Sequence, residues 1–282
     1  MNKDNIAILM ATYNGEQYLK EQIDSILNQT NHLWHLFVHD DGSKDNTPAI
    51  LKDYSDKYSD KITILNYPPQ GGACKNFFSL LNTVEASYYM FCDQDDVWIP
   101  EKIDISLEAM KRQESLHPNL GIIICTDLFV VDENLSVLHQ SMWQYSMVYP
   151  QYIRTLDDCG AQSVVTGCTM LFNQNAKKSC EFPASRAIMH DSWVCLCTLK
   201  HHGILYGIHK QTIYYRQHGS NCLGVGMSPY DLTLRHRIMH FKKNLRISIR
   251  YYRMLSSLGY GSFIKYYWYK YMYRKRIRRG YY

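Results

Sequence analysis

Along the first 125 residues, short apolar runs alternate with stretches whose apolar positions recur at helical spacing. Asn5–Met10, Trp34–Val38, Ile62–Leu65, Tyr88–Cys92 and Leu120–Cys125 read as strands. Between them, Glu16–Leu27 carries Tyr18, Leu19, Ile23, Ile26 and Leu27 near one helical face. Thr47 followed by Pro48 predicts a helix with Thr47 as its cap, running towards Tyr58. Asn76–Ala86 and Pro100–Met110 supply two more helices. Repeated βα units predict an α/β fold, a mostly parallel sheet with helices on both faces. After Thr126 the alternation weakens. Asp127–Leu138 reads as irregular strands and Ser141–Asp158 as a loop rich in Tyr, Met and Gln. Val164–Phe172 is a buried strand with a Gly-Cys interruption, Asp191–Leu199 a short helix, and Ile204–Ile208 and Thr212–Tyr215 are strands before a polar turn from Arg216 to Asn221.

In such a sheet ligands bind beyond the carboxyl ends of the strands, near a topological switch point. Three predicted strands end in polar clusters: Thr12-Tyr13-Asn14, Asp40-Asp41-Gly42-Ser43, and Asp93-Gln94-Asp95-Asp96. Three acids within four residues repel one another and resist burial without compensation. A divalent cation supplies it, and hard Mg²⁺ or Mn²⁺ prefers carboxylate oxygens while keeping positions open for phosphate. The alternative is a solvated acidic turn at a strand end.

Composition adds bounds. With 282 residues and 46% hydrophobic content the chain has enough for a sizeable core, as one large domain or a domain with an appendage. Nine cysteines without a C-x-x-C pair, and no secretory signal at Met1-Asn2-Lys3-Asp4, read as reduced cytosolic thiols. No apolar stretch approaches the roughly 18–20 residues that span a bilayer. The net charge of +5 conceals an asymmetry. From Tyr230 onward there are 14 Lys and Arg against one acid, Asp231, so residues 230–282 carry +13 and the remainder −8. A catalytic domain over 1–229 and a basic, aromatic helical extension over 230–282 need separate explanations.

Taken in order, Ala11-Thr12-Tyr13-Asn14, Asp40-Asp41-Gly42-Ser43, Asp93-Gln94-Asp95, His190-Asp191 and Tyr215-Arg216-Gln217-His218-Gly219-Ser220-Asn221 form a series. It resembles the inverting nucleotide-sugar glycosyltransferases of family 2, with the GT-A fold. Asp-Gln-Asp-Asp-Val-Trp with a late His-Gly-Ser-Asn looks most like the bacterial rhamnosyltransferase-like branch, which builds O-antigen and capsule polysaccharides. The resemblance implies a UDP- or dTDP-linked donor and a Mg²⁺ or Mn²⁺ cofactor. Asp95 would contact the metal and Asp93 the sugar, the ribose or the metal through water. Asp96 stands between a sugar contact and a turn brace. Asp41 matches the carboxylate that accepts from the pyrimidine ring N–H, with Asp40 as the alternative. Thr12 and Asn14 would shape the base pocket, with Tyr13 beside it and Asn76 at a helix start that favours anions. Arg216 would meet the diphosphate or pair with a body carboxylate. His218 would complete the metal site or stabilise diphosphate, against the plain alternative of a solvated turn residue. Asp191 matches the general base, although a helix cap would also explain it. His190 would orient the base or the acceptor, or serve as a buried structural residue. Gly167 and Cys168 would line the acceptor cleft.

The tail mixes Tyr and Trp with Lys and Arg, which fits an anchor on the anionic inner face of the plasma membrane. That places the protein in the cytoplasm, peripheral to the membrane and beside a lipid-linked glycan acceptor. Packing of the aromatic stripe on the body is the second reading, and nucleic-acid binding the third. Two rivals remain for the whole chain. A sugar-phosphate nucleotidyltransferase would carry a G-x-G-T-R loop, which Met10–Gly15 lacks, and a non-catalytic adaptor leaves the ordered carboxylates unexplained.

Overall fold

The computed structural model describes residues 5–160, 165–182, 184–219 and 241–278. Its strands are β1 Ile6–Thr12, β2 Trp34–Asp40, β3 Ile62–Ile64, β4 Tyr88–Cys92, β5 Val97–Trp98, β6 Ile122–Val131, β7 Val137–His139, β8 Met170–Asn173 and β9 Ile204–Arg216. They join in one sheet ordered β3-β2-β1-β4-β8-β6-β9-β5, with β7 paired to β6. The first four are mutually parallel. Beyond β4 the sheet becomes mixed: β8 runs antiparallel to both β4 and β6, β9 parallel to β6, and β5 antiparallel to β9.

The chain leaves β1 outward to β2 and β3, then returns to β4 on the other side of β1. The switch point therefore falls between β1 and β4, whose carboxyl ends carry Thr12-Tyr13 and Asp93. Helices α1 (Leu19–Leu27), α2 (Thr47–Lys57) and α4 (Lys102–Leu116) cover one face, against Ile6, Ile8 and Met10. Helices α3 (Ala73–Thr83) and α7 (His190–Lys200) cover the other, against Ala7 and Leu9. All five of these β1 residues are fully buried. A strand sandwiched between two helical layers must be apolar on both sides, hence the unbroken run in the sequence. Two short helices, α5 (Met142–Ser146) and α6 (Gln174–Ser179), lie in the connections.

Departures from the sequence expectation have local causes. The β6 strand continues past Cys125 because its polar residues are satisfied in place. Thr126 and Thr212 share a hydroxyl hydrogen bond at 2.6 Å, and the Asp127 carboxylate accepts from Ser141 and the Trp143 N–H. The strands expected at Ile204–Ile208 and Thr212–Tyr215 are one, β9, with bulged pairing around Asp127. Asn46, not Thr47, occupies the cap of α2, and the Thr47 hydroxyl instead accepts the Gly15 N–H at 2.8 Å. Gly167–Thr169 form a 3₁₀ turn ahead of β8.

The C-terminal region forms α8 (Phe241–Ser257) and α9 (Phe263–Arg278). Met254, Leu255, Leu258, Tyr260 and Tyr266 are buried in the same cluster as Ala7 and Leu9. Lys265 pairs with Asp157 at 2.6 Å, Tyr251 donates to the Cys159 carbonyl, and Tyr273 donates to the Met147 carbonyl. Tyr251, Tyr260, Tyr266 and Tyr273 of the tail thus pack on the body, while Trp268 and Tyr271 stay exposed. The boundary expected near residue 230, and Ser220 and Asn221 of the late motif, lie outside the described residues. Among the described residues no helix is long and apolar enough to cross a membrane.

Candidate active site

A cavity of about 960 Å³ opens at the carboxyl ends of β1 and β4. Its wall takes in Thr12, Tyr13, Asp41 and Asn76, then Asp93 and Asp95, then Gly167, His190 and Asp191, and finally Tyr251, Tyr266 and Lys270 from α8 and α9. The two loops at the switch point are clamped by Gln94. Its carboxamide accepts the Tyr13 N–H at 2.8 Å and donates to the Tyr13 carbonyl at 3.0 Å. Gly15 gives it room, since a Cβ there would lie 2.4 Å from Gln94 Oε1.

On one side, Asp40 and Asp41 divide their work. Asp40 accepts from the Thr12 hydroxyl at 2.9 Å and from Ser43, bracing the turn after β2. Asp41 faces the cavity and holds the loop before α3, accepting N–H groups from Gln70, from Gly71 at 3.1 Å and from Gly72 at 2.7 Å. A carboxylate offers about four acceptor positions, so three of those on Asp41 are occupied by backbone. Gly71 and Gly72 both have φ in the positive region, at 75° and 130°, which lets the loop curl over the carboxylate. Asn76 is buried and binds His39 through Nδ1 at 2.7 Å, and His39 stacks on Tyr67. Tyr13 is exposed at the rim. Asn14 is elsewhere: at φ 48° it braces the turn, accepting the Lys44 N–H and donating to Ser43, and it is not part of the cavity wall.

At the centre, Asp95 Oδ2 lies 2.8 Å from His218 Nε2. The pair brings a carboxylate oxygen and an imidazole nitrogen together at the cavity edge, a donor set that suits Mg²⁺ or Mn²⁺. Asp93 has its pKa raised, first by burial and then by repulsion from Asp95 and Asp191. Asp96 is fully buried, accepts the Arg216 N–H at 3.2 Å, and has its pKa pushed well up by burial and by its neighbouring acids. Oxygens of Asp93 and Asp96 and the Cys168 sulfur also lie within 4.8 Å of one another. Burial pushes that thiol up, keeping it protonated, so it is a poor ligand for a hard cation. Among the described residues, the Asp95–His218 pair and the Asp93 and Asp96 carboxylates offer donors that fit a hard divalent cation.

Of the two uses expected for Arg216, a diphosphate contact or a pair with a body carboxylate, the structure has the second, with Glu21. Its guanidinium is 2% exposed, stacks on Tyr18, pairs with Glu21, and donates to the carbonyls of Glu133 and Asp95. A fixed five-donor fork suits three elements meeting at one point.

Asp191 lies in the first turn of α7 but does not cap it; the cap position is Met189. One carboxylate oxygen accepts the Gly167 N–H at 3.0 Å, the other the Ser192 N–H at 2.5 Å. Both bonds favour the ionised form, yet burial outweighs them and raises its pKa. His190 is buried between Phe77 at 4.0 Å and Phe91 at 4.5 Å, and burial holds it neutral, its pKa lowered to about 3. The neutral imidazole packs the start of α7 against Phe77 and Phe91 and has no charge to share with Asp191.

The fold therefore gathers Thr12, Tyr13, Asp41, Asn76, Asp93, Asp95 and Asp191 around one cavity, with His218 tied to Asp95, and leaves Asn14 and Arg216 off its wall. Sequence reasoning missed Lys102, which is fully buried under the acidic loop with its ammonium 4.6 Å from the Trp98 ring and its pKa lowered to about 8 by burial. Its signal was there: Lys102, Ser106, Met110 and Gln113 share the buried face of α4 at helical spacing. Tyr251, Tyr266 and Lys270 were also missed as cavity residues; nothing local announces that a distant helix will close a site.

An acidic crevice at the switch point of a half-parallel sheet, with a carboxylate facing it from a later helix, defines a sugar-transferring site of the GT-A kind. The family model for glycosyl transferase family 2 matches residues 7–178, and the chain belongs to that family. It is a glycosyltransferase, so the adaptor and nucleotidyltransferase readings fall. Among curated relatives, the chain is 28% identical over 230 residues to the dTDP-rhamnosyl transferase RfbG of Shigella flexneri, covering 78% of this chain and 75% of that one. It is 32% identical over 107 residues to the glucosyltransferase WfgD of Escherichia coli, covering 38% of this chain and 41% of that one. Solved structures with the same fold include S. aureus TarS 1–349 in complex with UDP-GlcNAc, at TM-score 0.57 and 19% identity over 77% of this chain and 60% of that one. Another is the mannosyltransferase PcManGT of Pyrobaculum calidifontis in complex with GDP-Man and Mn²⁺, at TM-score 0.56 and 13% identity over 97% of this chain and 80% of that one.

Proposed function

We propose that this glycosyltransferase moves a sugar, rhamnose or another hexose, from a dTDP- or UDP-linked donor to a hydroxyl of a lipid-linked, growing cell-surface polysaccharide, with inversion and with a divalent metal. The observation that carries the reading is that Asp93, Asp95 and Asp191 face one cavity and act on one another's charge. The rhamnosyl donor is supported by the Shigella relative, whose name gives dTDP-rhamnose chemistry, and the lipid-linked acceptor by the E. coli relative, whose name gives a diphosphoundecaprenol substrate.

In this mechanism Thr12, Tyr13 and Asp41 receive the nucleoside, Asn76 holds His39 beneath them, and Asp93 orients the donor sugar. Asp95 and His218 would hold Mg²⁺ or Mn²⁺, which when bound supplies positive charge to the leaving diphosphate. Asp191 takes the proton of the acceptor hydroxyl as its oxygen bonds to the anomeric carbon and the bond to diphosphate breaks. Burial raises the pKa of Asp191, which makes its carboxylate a stronger base than that of an exposed Asp. Membrane-surface binding belongs to the same reading. Ile264, Trp268 and Tyr271 are exposed on one face of α9 at i, i+4, i+7 spacing, on a helix of the basic tail.

The test is a titration of dTDP- and UDP-sugars with and without Mn²⁺, followed by product analysis. Asp191→Asn is expected to keep donor binding and to lose transfer by about 10³-fold or more, the range for a positioned base with its orientation effects. Asp95→Ala should lose the Mn²⁺-dependent part of donor affinity. Near-normal turnover of either purified variant overturns its assignment.

A further inference from the structure

Beneath the acidic loop lies a cation that the reaction described above does not use. Lys102 opens α4 and is fully buried, and its Nζ has no hydrogen-bond partner among the described residues. Two costs fall on it: an ammonium is removed from water, and a positive charge sits in the first turn of a helix, where the macrodipole opposes it. Burial lowers its pKa to about 8, which leaves it a cation at neutral pH. The Trp98 ring, 4.6 Å away, offsets part of the cost. The Cys92, Cys125 and Cys168 thiols also act on it, but burial pushes the pKa of each well up, so they stay protonated and supply no charge. The carboxylate among the groups acting on Lys102 is Asp96, itself fully buried.

Asp96 in turn belongs to a stitch between the acidic loop and the end of β9. Its Oδ1 accepts the Arg216 N–H at 3.2 Å, the Asp95 carbonyl accepts from Arg216 Nε at 2.9 Å, and Asp95 Oδ2 meets His218 Nε2 at 2.8 Å. These bonds continue the β5–β9 ladder, in which Val97 pairs with Tyr214. The Asp95–His218 pair therefore stands at the end of a ladder that Asp96 fastens. We infer that Lys102 is a positioning residue for the divalent cation: its ammonium is the counter-charge that keeps Asp96 fastened to Arg216, and through that stitch it sets Asp95 against His218. The inference rests on the metal part of the reading above and extends it to a residue outside the cavity wall. Buried charges of opposite sign are retained as pairs, because either one left alone is costly. Outer residues that orient metal donors are worth about 10–100-fold in metal affinity. Charge alone acts in the opposite direction, since a cation beside the site repels Mn²⁺ and its removal would tighten binding. The sign of the change thus separates positioning from simple repulsion.

The experiment uses the full chain and titrates Mn²⁺ by calorimetry, without donor or turnover. Lys102→Met, which keeps the apolar stem and removes the charge, should weaken Mn²⁺ binding by about tenfold or more. Met110→Ala removes buried packing from the same face of α4; it should lower the urea midpoint and leave Mn²⁺ affinity unchanged. Unchanged or tighter Mn²⁺ binding by Lys102→Met, or an equal loss in Met110→Ala, overturns the inference. Urea midpoints in metal-free buffer test the pairing itself. Lys102→Met and Asp96→Asn should each lower the midpoint, and the double variant should recover most of the loss, because neither charge is then left alone. Additive losses overturn the pairing. Should Lys102→Met not fold, Lys102→Gln keeps a donor without the charge and gives the same Mn²⁺ readout. Wild type that binds no Mn²⁺ brings down the metal reading and this inference with it, whereas Mn²⁺ bound equally by wild type and Lys102→Met brings down this inference alone.

Discussion

Gly167→Ala offers the sharpest test of how the base is held. Gly167 donates its N–H to Asp191 at 3.0 Å, and its α-carbon faces the His190-Asp191 turn. A Cβ at this position would lie 2.9 Å from His190 Nε2 and 3.4 Å from Asp191 Cβ. Comfortable contacts of this kind begin near about 3.5 Å, so roughly half an ångström of movement is required. The imidazole cannot yield it cheaply, because its ring is stacked on Phe77 and set edge-on to Phe91. The displacement therefore falls on the 3₁₀ turn or on the start of α7, and both carry the hydrogen bonds that aim Asp191. Overpacking of this size costs about 1–3 kcal/mol of stability. Misplacing a catalytic group by about 1 Å costs about 10²-fold, so half of that is worth about tenfold. We expect kcat to fall by about tenfold or more, donor affinity to stay within about threefold, since Thr12, Asp41 and Asp95 are untouched, and the urea midpoint to drop. Steady-state kinetics and denaturation on one preparation check it. Wild-type kcat with a lowered midpoint would show that the turn relaxes away from the base, and would refute the claim that Gly167 sets the position of Asp191.

Arg216→Ala should cost about 1–3 kcal/mol, because it leaves the Glu133 and Asp95 carbonyls without their common donor, while the exposed Glu21 carboxylate returns to water. A variant as stable as wild type that loses donor affinity would instead return Arg216 to the diphosphate. His190→Phe should change how stability depends on pH. The folded pKa of His190 is about 3, below the ordinary value of 6.5, so above pH 6.5 it contributes no pH dependence. Below 6.5 only the unfolded chain takes up the proton, and stability falls with pH by up to about 1.4 kcal/mol per unit. Urea midpoints between pH 7 and 4 should show a shallower fall in the variant; identical slopes would mean that the ring is not held neutral by burial. Replacing Ile264 and Trp268 together with Ser should weaken partitioning onto phosphatidylglycerol vesicles by about tenfold or more, given about 1.5–3 kcal/mol for each buried side chain. Unchanged co-sedimentation would leave the exposed face of α9 without a membrane role.

The parallel half of the sheet was legible because each strand there is buried on both faces, so an apolar run such as Ile6–Met10 is its direct record. The mixed half was harder to read. Thr126 and Asp127 interrupt the apolar pattern of β6, yet each is satisfied by partners 86 and 16 residues away in sequence, Thr212 and Trp143. A period count cannot see such partners. Asn14 and Arg216 fail as cavity residues for a related reason. Their types suit ligand contact, but a turn and a three-way junction need the same hydrogen-bonding groups, and only geometry distinguishes those uses.

The amino-acid order by itself settled that strand ends would carry acids, among them Asp93 and Asp95, and that a basic aromatic segment would follow an acidic body. These are local facts, written in periodicity and in the cost of placing like charges side by side. The tertiary structure alone decided that Asp41 would be held by the loop before α3, that His218 would reach Asp95, and that α8 and α9 would close the cavity beyond Asp191. Each of those depends on contacts between residues far apart in the chain, and the free energy of such contacts resides in the pair and not in either segment.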